Sequence, residues 1–382
     1  MKKVLMLLLM FGLMVGLYGY AEAISGPCSN CHTMHYSQNG GVLSGWGTSG
    51  PYEQLLVADC VSCHTGTTGA TNPNTNAPAV YHTTAPTGQG PGATLAGGDF
   101  YWVDAGSDAY GHNVIDLPNI TGQDAAIGLT PPGWDPSATS TNAPTGYGAG
   151  QVASAGWTTQ LTCAGAYGCH GYHQDPTTGA DLSNMGGIKG AHHSNNGTSG
   201  WTDGTSLGNS YRFLYGIKGY EDADWQWTAD AASDHNEYYG ADDTTPVRQA
   251  DGTYTYQNPD TISFLCAECH GIFHSEIDPD TTSGSPWVRH PTDIALPASG
   301  EYANYTSYSL EAPVGRTAAV TGPSGTVTPG TDVVICLSCH RAHGSDQPDL
   351  LRWDYSTMQA GTTDSTVAGT GCFTCHTGKD GI

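Results

Sequence analysis

Twelve cysteines in a chain of 382 residues fall into six pairs, and a histidine follows each pair at once. The pairs are Cys28/Cys31, Cys60/Cys63, Cys163/Cys169, Cys266/Cys269, Cys336/Cys339 and Cys372/Cys375; the adjoining histidines are His32, His64, His170, His270, His340 and His376. Five pairs read Cys-x-x-Cys-His, while the third holds five residues between its cysteines. At this cysteine and histidine content, chance yields far fewer than one such pattern. An even cysteine count invites a disulfide framework, but disulfides have no use for the recurring histidine. Zinc wants four N or S ligands in a tetrahedron, and each motif offers three at most. Two thiols adding across the vinyl groups of one haem, with the adjacent imidazole under the iron, use all three residues. The spacing predicts six covalently bound haem c groups, with the twelve cysteines as attachments and the six histidines as proximal iron ligands. In the third motif, Ala164-Gly165-Ala166-Tyr167-Gly168 is expected to loop outward while Cys169-His170 keeps its usual relation to the porphyrin.

Ten further histidines are candidate distal iron ligands: His35, His82, His112, His173, His192, His193, His235, His274, His290 and His343. Beyond the N-terminal apolar stretch, only Met34, Met185 and Met358 compete with them. Two imidazoles on each iron is therefore the expected state. Such an iron has a lowered potential and no open coordination position, so it passes electrons rather than activating a substrate. The expectation is an electron-transfer protein and not an enzyme. His35, His173, His274 and His343 sit just after a motif, too close to reach the far face of their own haem, and are expected to meet a neighbouring iron. His112 and His290 are read as ligands, and at most one of His192 and His193 is. His82 stays a candidate, and His235 is either a ligand or a solvated loop histidine.

Glycine is abundant, at 53 residues, and the net charge is -24 with only 11 Lys and Arg. So acidic a surface repels phosphate backbones and anionic lipid, which speaks against nucleic-acid binding and peripheral membrane attachment. The N-terminus runs Met1-Lys2-Lys3, then apolar from Val4 to Leu17, then small residues at Ala21 and Ala23. That pattern predicts a secretory signal peptide over 1–23 and an exported chain over 24–382 with no membrane span. A retained membrane anchor is the competing reading of the same stretch. Long periodic segments are few and turn signals recur. The expected fold is a single hexahaem domain, mostly coil with short helices and few strands, wrapped around a chain of six haems that supply the missing apolar interior. Short helices are expected at 51–56, 207–217 and 348–353, and short strands at 100–103 and 254–256.

The chain resembles the exported multihaem c-type cytochromes of metal-reducing bacteria, and most of all the hexahaem members that polymerise into extracellular conductive filaments. The likeness lies in Cys28-Ser-Asn-Cys-His-Thr-Met-His35, Cys266-Ala-Glu-Cys-His-Gly-Ile-Phe-His274, Trp287-Val-Arg-His290-Pro and Cys336-Leu-Ser-Cys-His-Arg-Ala-His343-Gly-Ser, with Leu351-Arg-Trp-Asp354 and Gly371-Cys-Phe-Thr-Cys-His376. The resemblance implies head-to-tail partnership between copies of the chain, with His35 ligating the haem of Cys336, Cys339 and His340 in the next subunit. It also implies secretion to the cell exterior or outer surface, and other redox proteins or extracellular acceptors as partners. The third motif departs from the family's usual spacing. Two other readings compete: a discrete periplasmic or surface shuttle, and a multihaem reductase with one open iron.

Overall fold

Each Cys-x-x-Cys-His motif closes as one helical turn, with the histidine N–H bonded to the carbonyl of the first cysteine. The bonds are His32 to Cys28 (2.8 Å), His64 to Cys60 (2.9 Å), His270 to Cys266 (2.9 Å), His340 to Cys336 (3.1 Å) and His376 to Cys372 (3.0 Å). One turn brings both thiols to one side and carries the imidazole just beyond them. Local chemistry starts some of these turns. Asp59 caps Cys60–Cys63 by accepting from the Ser62 N–H (2.9 Å), and Thr261 caps Ile262–Ala267 by accepting from the Phe264 N–H (3.2 Å). That helix ends inside the fourth motif, where the Cys269 N–H bonds to the Cys266 carbonyl (3.2 Å) and so completes the turn that presents His270.

The computed structural model describes residues 27–37, 49–52, 55–120, 122–134, 157–190, 192, 199–242, 247–248, 254–255, 258–270, 273, 290–362 and 364–381. The expected signal peptide, His193 and His274 lie outside them. The fold is mostly coil, with short helical turns and strands of two or three residues. Helical turns appear at Leu207–Asn209, Tyr211–Phe213 and Pro348–Leu350, within two of the expected helices. Tyr254–Thr255 is a strand, as expected. Two expectations fail. Tyr101–Asp104 is a helix rather than a strand, because Phe100 and Val103 pack into a local apolar cluster and not on a sheet. Pro51, Tyr52, Leu55 and Leu56 are not helical; Leu56 instead bridges to His32.

Six short strands form the largest sheet, in the order Ile294–Ala295, Val333–Val334, Gly315–Arg316, Glu237–Tyr239, Gly219–Glu221, Gly200–Thr202. Periodicity cannot announce strands this short, since each is too brief to alternate. A buried ion triad ties three adjacent strands together. Arg316 gives a bidentate pair of bonds to Glu237 (2.6 and 3.1 Å) and a further bond to Asp332, next to Val333. The carboxylates are completed by the backbone N–H groups of Ser324 (to Glu237, 2.7 Å) and Thr328 (to Asp332, 2.7 Å). The guanidinium also lies 5.5 Å from the centre of the Tyr308 ring.

Among the described residues, three small apolar clusters replace a single large core. One holds Tyr211, Ile217, Ile262 and Ile335; another Val61, Tyr81, Phe100 and Val103; the third Leu296, Tyr308, Val314 and Val327. Each also touches a motif cysteine, namely Cys169, Cys163 or Cys375.

Replacing Arg316 by Met should strand Glu237 and Asp332 as uncompensated buried charges. Breaking one side of such a site costs roughly 3–5 kcal/mol. Denaturant unfolding should show a clearly lowered midpoint, and an unchanged midpoint would mean that the triad does not hold the sheet.

Candidate haem-ligating sites

Four of the motif histidines face a second imidazole at nearly one distance. Ring centres are 6.2 Å apart for His64 and His192, 6.3 Å for His170 and His343, 6.2 Å for His112 and His270, and 6.1 Å for His290 and His376. Two imidazoles on opposite sides of one metal, each bonded at about 2 Å, hold their ring centres roughly 6 Å apart. The residues present therefore fit an iron between each pair, as a bis-imidazole haem requires.

Hydrogen bonds behind the rings set the tautomer. Nδ1 of His64 donates to the Pro78 carbonyl (2.9 Å), that of His170 to Arg212 (2.9 Å), that of His270 to Pro132 (2.7 Å) and that of His340 to Asp349 (2.7 Å). The facing rings do likewise, His112 to Ala342 (2.7 Å) and His290 to Pro291 (2.9 Å). A carbonyl only accepts, so Nδ1 carries the proton and Nε2 keeps a lone pair for a metal. Burial keeps the rings neutral: it pushes His343 down to about 3 and His270 down to about 4. His35 has the same signature, with Nδ1 donating to Tyr52 (2.9 Å), on an exposed turn where His35 and Tyr36 both have positive φ (58° and 55°).

Two distal candidates meet at one crossing of the chain. Residues 341–345 thread between 97–99 and 110–112: the His343 N–H bonds to Gly97 (2.8 Å), Asp99 N–H to Gly344 (2.9 Å) and His112 N–H to His343 (3.0 Å). Glycine makes the crossing possible. A Cβ on Gly98, whose φ is +83°, would meet the Gly344 oxygen at 2.0 Å, and one on Gly344 would meet the Asp99 oxygen at 2.6 Å.

The third motif takes another shape. Thr162–Ala164 and Gly168–His170 pair side by side, and the intervening residues turn back on Gly165, which has φ of +78°. A Cβ on Gly168 would meet the Ala164 backbone at 2.4 Å. The insertion is thus absorbed in a small glycine-dependent loop, and His170 still faces His343.

None of the twelve thiols is joined to another as a disulfide, Cys269 in the fourth motif included, and eleven of them are half-buried while Cys28 is exposed. The disulfide framework that an even cysteine count invites is therefore not the arrangement of this fold. The thiols also mark how successive motifs neighbour one another. Burial, and then Cys31, Asp59 and Cys60, push Cys63 up to about 11. Cys163 is raised by its hydrogen bond with Cys60, and Cys266 by its bond with Cys336, by burial and by Cys169. Burial, then Cys372, pushes Cys339 up to about 12, and burial, then Cys339, does the same to Cys375. Every consecutive pair of motifs thereby has thiols close enough to perturb one another, in sequence order. In the fourth motif this contact runs through Cys266, while Cys269 stands at the other end of the same turn, beside His270.

Other histidines are engaged elsewhere. His82 is buried, with Nδ1 bonded to Asp99 and Nε2 to the Gly69 carbonyl (2.9 Å), which commits both nitrogens within the chain. His173 is buried too, with Nε2 bonded to the Gly168 carbonyl (2.9 Å). His235 is the exception: it is fully buried rather than solvated, Nδ1 donates to the Asn236 carbonyl (2.8 Å), the ring stacks on Tyr308 at 4.0 Å, and Nε2 has no hydrogen-bond partner among the described residues, so it keeps the form of a ligand. Nothing in the sequence separates these three from the ring-paired histidines, since only the fold shows what each nitrogen faces. Glu301 is not legible in the sequence either: its Oε1 accepts from Nδ1 of His376 (3.1 Å) across 75 residues.

The His82–Asp99 pair sets a pH dependence. Burial disfavours the charged ring, yet the hydrogen bond and charge of Asp99 outweigh it and raise the pKa above the usual 6.5. A raised folded-state pKa gives stability that is fully present below 6.5 and lost as pH rises through the folded value. The unfolding midpoint should fall across that window in the wild-type chain, and His82→Asn should remove this component. An unaltered pH profile in the variant would show that the pair is neutral.

A family model described as the doubled CXXCH motif matches residues 329–381, spanning the fifth and sixth motifs. The C-type cytochrome OmcS of Geobacter sulfurreducens is 27% identical over 394 residues, covering 90% of this chain and 83% of that protein. Two solved structures, of the Outer Membrane Cytochrome S filament and of OmcS nanowires from that organism, are 20% and 21% identical with TM-scores of 0.42 and 0.43. They cover 90% and 95% of this chain and 87% and 93% of theirs. TM-scores this low leave the relationship resting on sequence. Among the described residues no helix is long and apolar enough to cross a membrane. The doubled motif and the cysteine pattern support covalent binding of haem c, and over nine-tenths of its length the chain is similar to a c-type cytochrome.

Proposed function

We propose that the six motifs hold six haems in a line ordered as in the sequence, and that the chain carries electrons along that line outside the cell as a subunit of a head-to-tail filament. The observation that carries this reading is the set of four imidazole pairs at 6.1–6.3 Å. In this reading His64 and His192, His170 and His343, His270 and His112, and His376 and His290 are axial pairs. Haem c supplies an iron that gains and loses one electron without exchanging ligands. The chain's own part is to supply the axial imidazoles, to hold most of them by an Nδ1–H bond, and to bring neighbouring motifs side by side. At these four irons the closed faces leave no site for a substrate, which disfavours the reductase reading there.

Filament formation rests on OmcS, whose solved structures are filaments and nanowires, and on two exposed histidines. His340 is exposed with its Nδ1 tied to Asp349, and His35 is exposed with its Nδ1 tied to Tyr52. Each presents Nε2 from a fixed ring, as an axial ligand and its partner must. We assign His35 of one subunit to the iron above His340 of the next. A discrete shuttle would need both ligands of that iron from one chain.

Intact-mass measurement of the secreted protein should give six haems, and five would remove the third motif first. His112→Ala should create one high-spin haem by optical spectroscopy while the others stay low-spin. His35→Ala should keep six haems yet abolish filaments under the electron microscope. Filaments persisting in that variant would defeat the intersubunit bond and leave the electron-carrier reading standing.

A further inference from the structure

The sixth motif differs from the second, third, fourth and fifth in what lies behind its histidine. Where His64, His170, His270 and His340 donate Nδ1–H to backbone carbonyls, His376 donates to the carboxylate of Glu301 at 3.1 Å. Glu301 lies on the short turn Gly300–Asn304, which the Thr377 hydroxyl holds in place through the Glu301 carbonyl. The pair is partly sheltered, with side chains 28% and 21% exposed, and the Tyr302 ring lies 5.1 Å from the imidazole. Lys379 stands 3.7 Å from the other carboxylate oxygen. The ring geometry also differs. The His290 and His376 planes are at 90°, whereas the other pairs lie between 32° and 42°.

We propose that Glu301 is a positioning residue that tunes the sixth haem, making it harder to reduce than a carbonyl partner would, with Lys379 moderating the effect. This rests on the haem assigned to Cys372, Cys375 and His376. A carboxylate is a stronger base than an amide carbonyl, so it draws the Nδ1 proton and leaves more negative charge on the imidazole. A more basic imidazole binds ferric iron in preference to ferrous iron. No bond is made or broken in the transfer: one electron arrives from a neighbouring haem and one leaves, with the Nδ1 proton shared along the hydrogen bond throughout. Lys379 draws charge from the same carboxylate, so its removal strengthens the pull on His376. In a filament this places one higher step per subunit, near its C-terminal end.

The perpendicular imidazoles provide a label. Ferric haems with crossed axial rings give a strongly anisotropic electron paramagnetic resonance signal, and haems with rings closer to parallel give a rhombic one. The test is a redox titration of these signals on the full-length secreted holoprotein, after intact mass has established the haem count. Glu301→Gln keeps an acceptor and loses the charge, so the midpoint of the anisotropic signal should rise while the rhombic signals hold. Lys379→Met should lower the same midpoint, and should have far less effect in the Glu301→Gln background. Equal effects of Lys379→Met in both backgrounds would mean plain through-space charge and overturn the proposal. So would an unmoved anisotropic signal in either single variant, or all signals moving together. Peptide mapping of the wild type that finds no haem on Cys372 and Cys375 would instead overturn the haem assignment itself. If Glu301→Gln fails to load haem, Glu301→Ala takes its place in the single and double variants, and an anisotropic midpoint that Glu301→Ala leaves unmoved ends the proposal.

Discussion

An imidazole that gives its Nδ1 proton to a fixed oxygen has one lone pair left and one direction in which to offer it. In this chain that bond recurs at His35, His64, His112, His170, His270, His290 and His340, always to a main-chain carbonyl. Most of the carbonyls come from coil, those of Arg212 and Asp349 from short helical turns, and most lie far away in sequence. Coil is usually a weak platform for precise chemistry, yet here its carbonyls hold imidazoles in fixed orientation. The low content of regular structure and the orientation of the ligands thus share one origin. Carbonyls consumed in long helices or wide sheets would not be free to hold imidazoles.

The rest of the packing follows from keeping those rings in position with few aliphatic residues. Three small clusters, a buried ion triad and close glycine crossings stand in for the one large core of an ordinary domain. The Arg316 triad spans three strands that have too few residues to be stable by backbone bonding alone. Gly98 and Gly344 let two backbones approach where any side chain would collide, and that approach is what brings His112 and His343 to one place. Glycine content therefore reflects particular contacts as well as loops. Its conformational cost is offset where the crossing brings two ligands together.

The sequence reading and the structure part company at the distal histidines. A position just after a motif is a useful sign for His343, which faces His170, but not for His173, which spends Nε2 on the Gly168 carbonyl. In sequence His82 is as eligible as His112, yet Asp99 and Gly69 take both its nitrogens. The segment from 67 to 160 carries no motif, yet it supplies His112 and the seat of His343. The helix at Tyr101–Asp104 reads as a strand, because four residues with aromatic and β-branched side chains look alike in either state until their packing partners are known.

What the sequence determined by itself is everything that depends on residues within one turn of each other: the cysteine motif suited to haem c, the histidine that adjoins it, the turn that presents them, and the predominance of coil. Those features are local, so spacing and composition carry them. Tertiary structure decided which distant histidine faces which motif, which nitrogens are already committed, and that a carboxylate rather than a carbonyl backs His376. The physical reason is that a ligand pair is a contact between segments tens to hundreds of residues apart, and a hydrogen bond across such a gap leaves no periodicity in the chain. His112 and the Ala342 carbonyl are 230 residues apart, and only folding makes them neighbours.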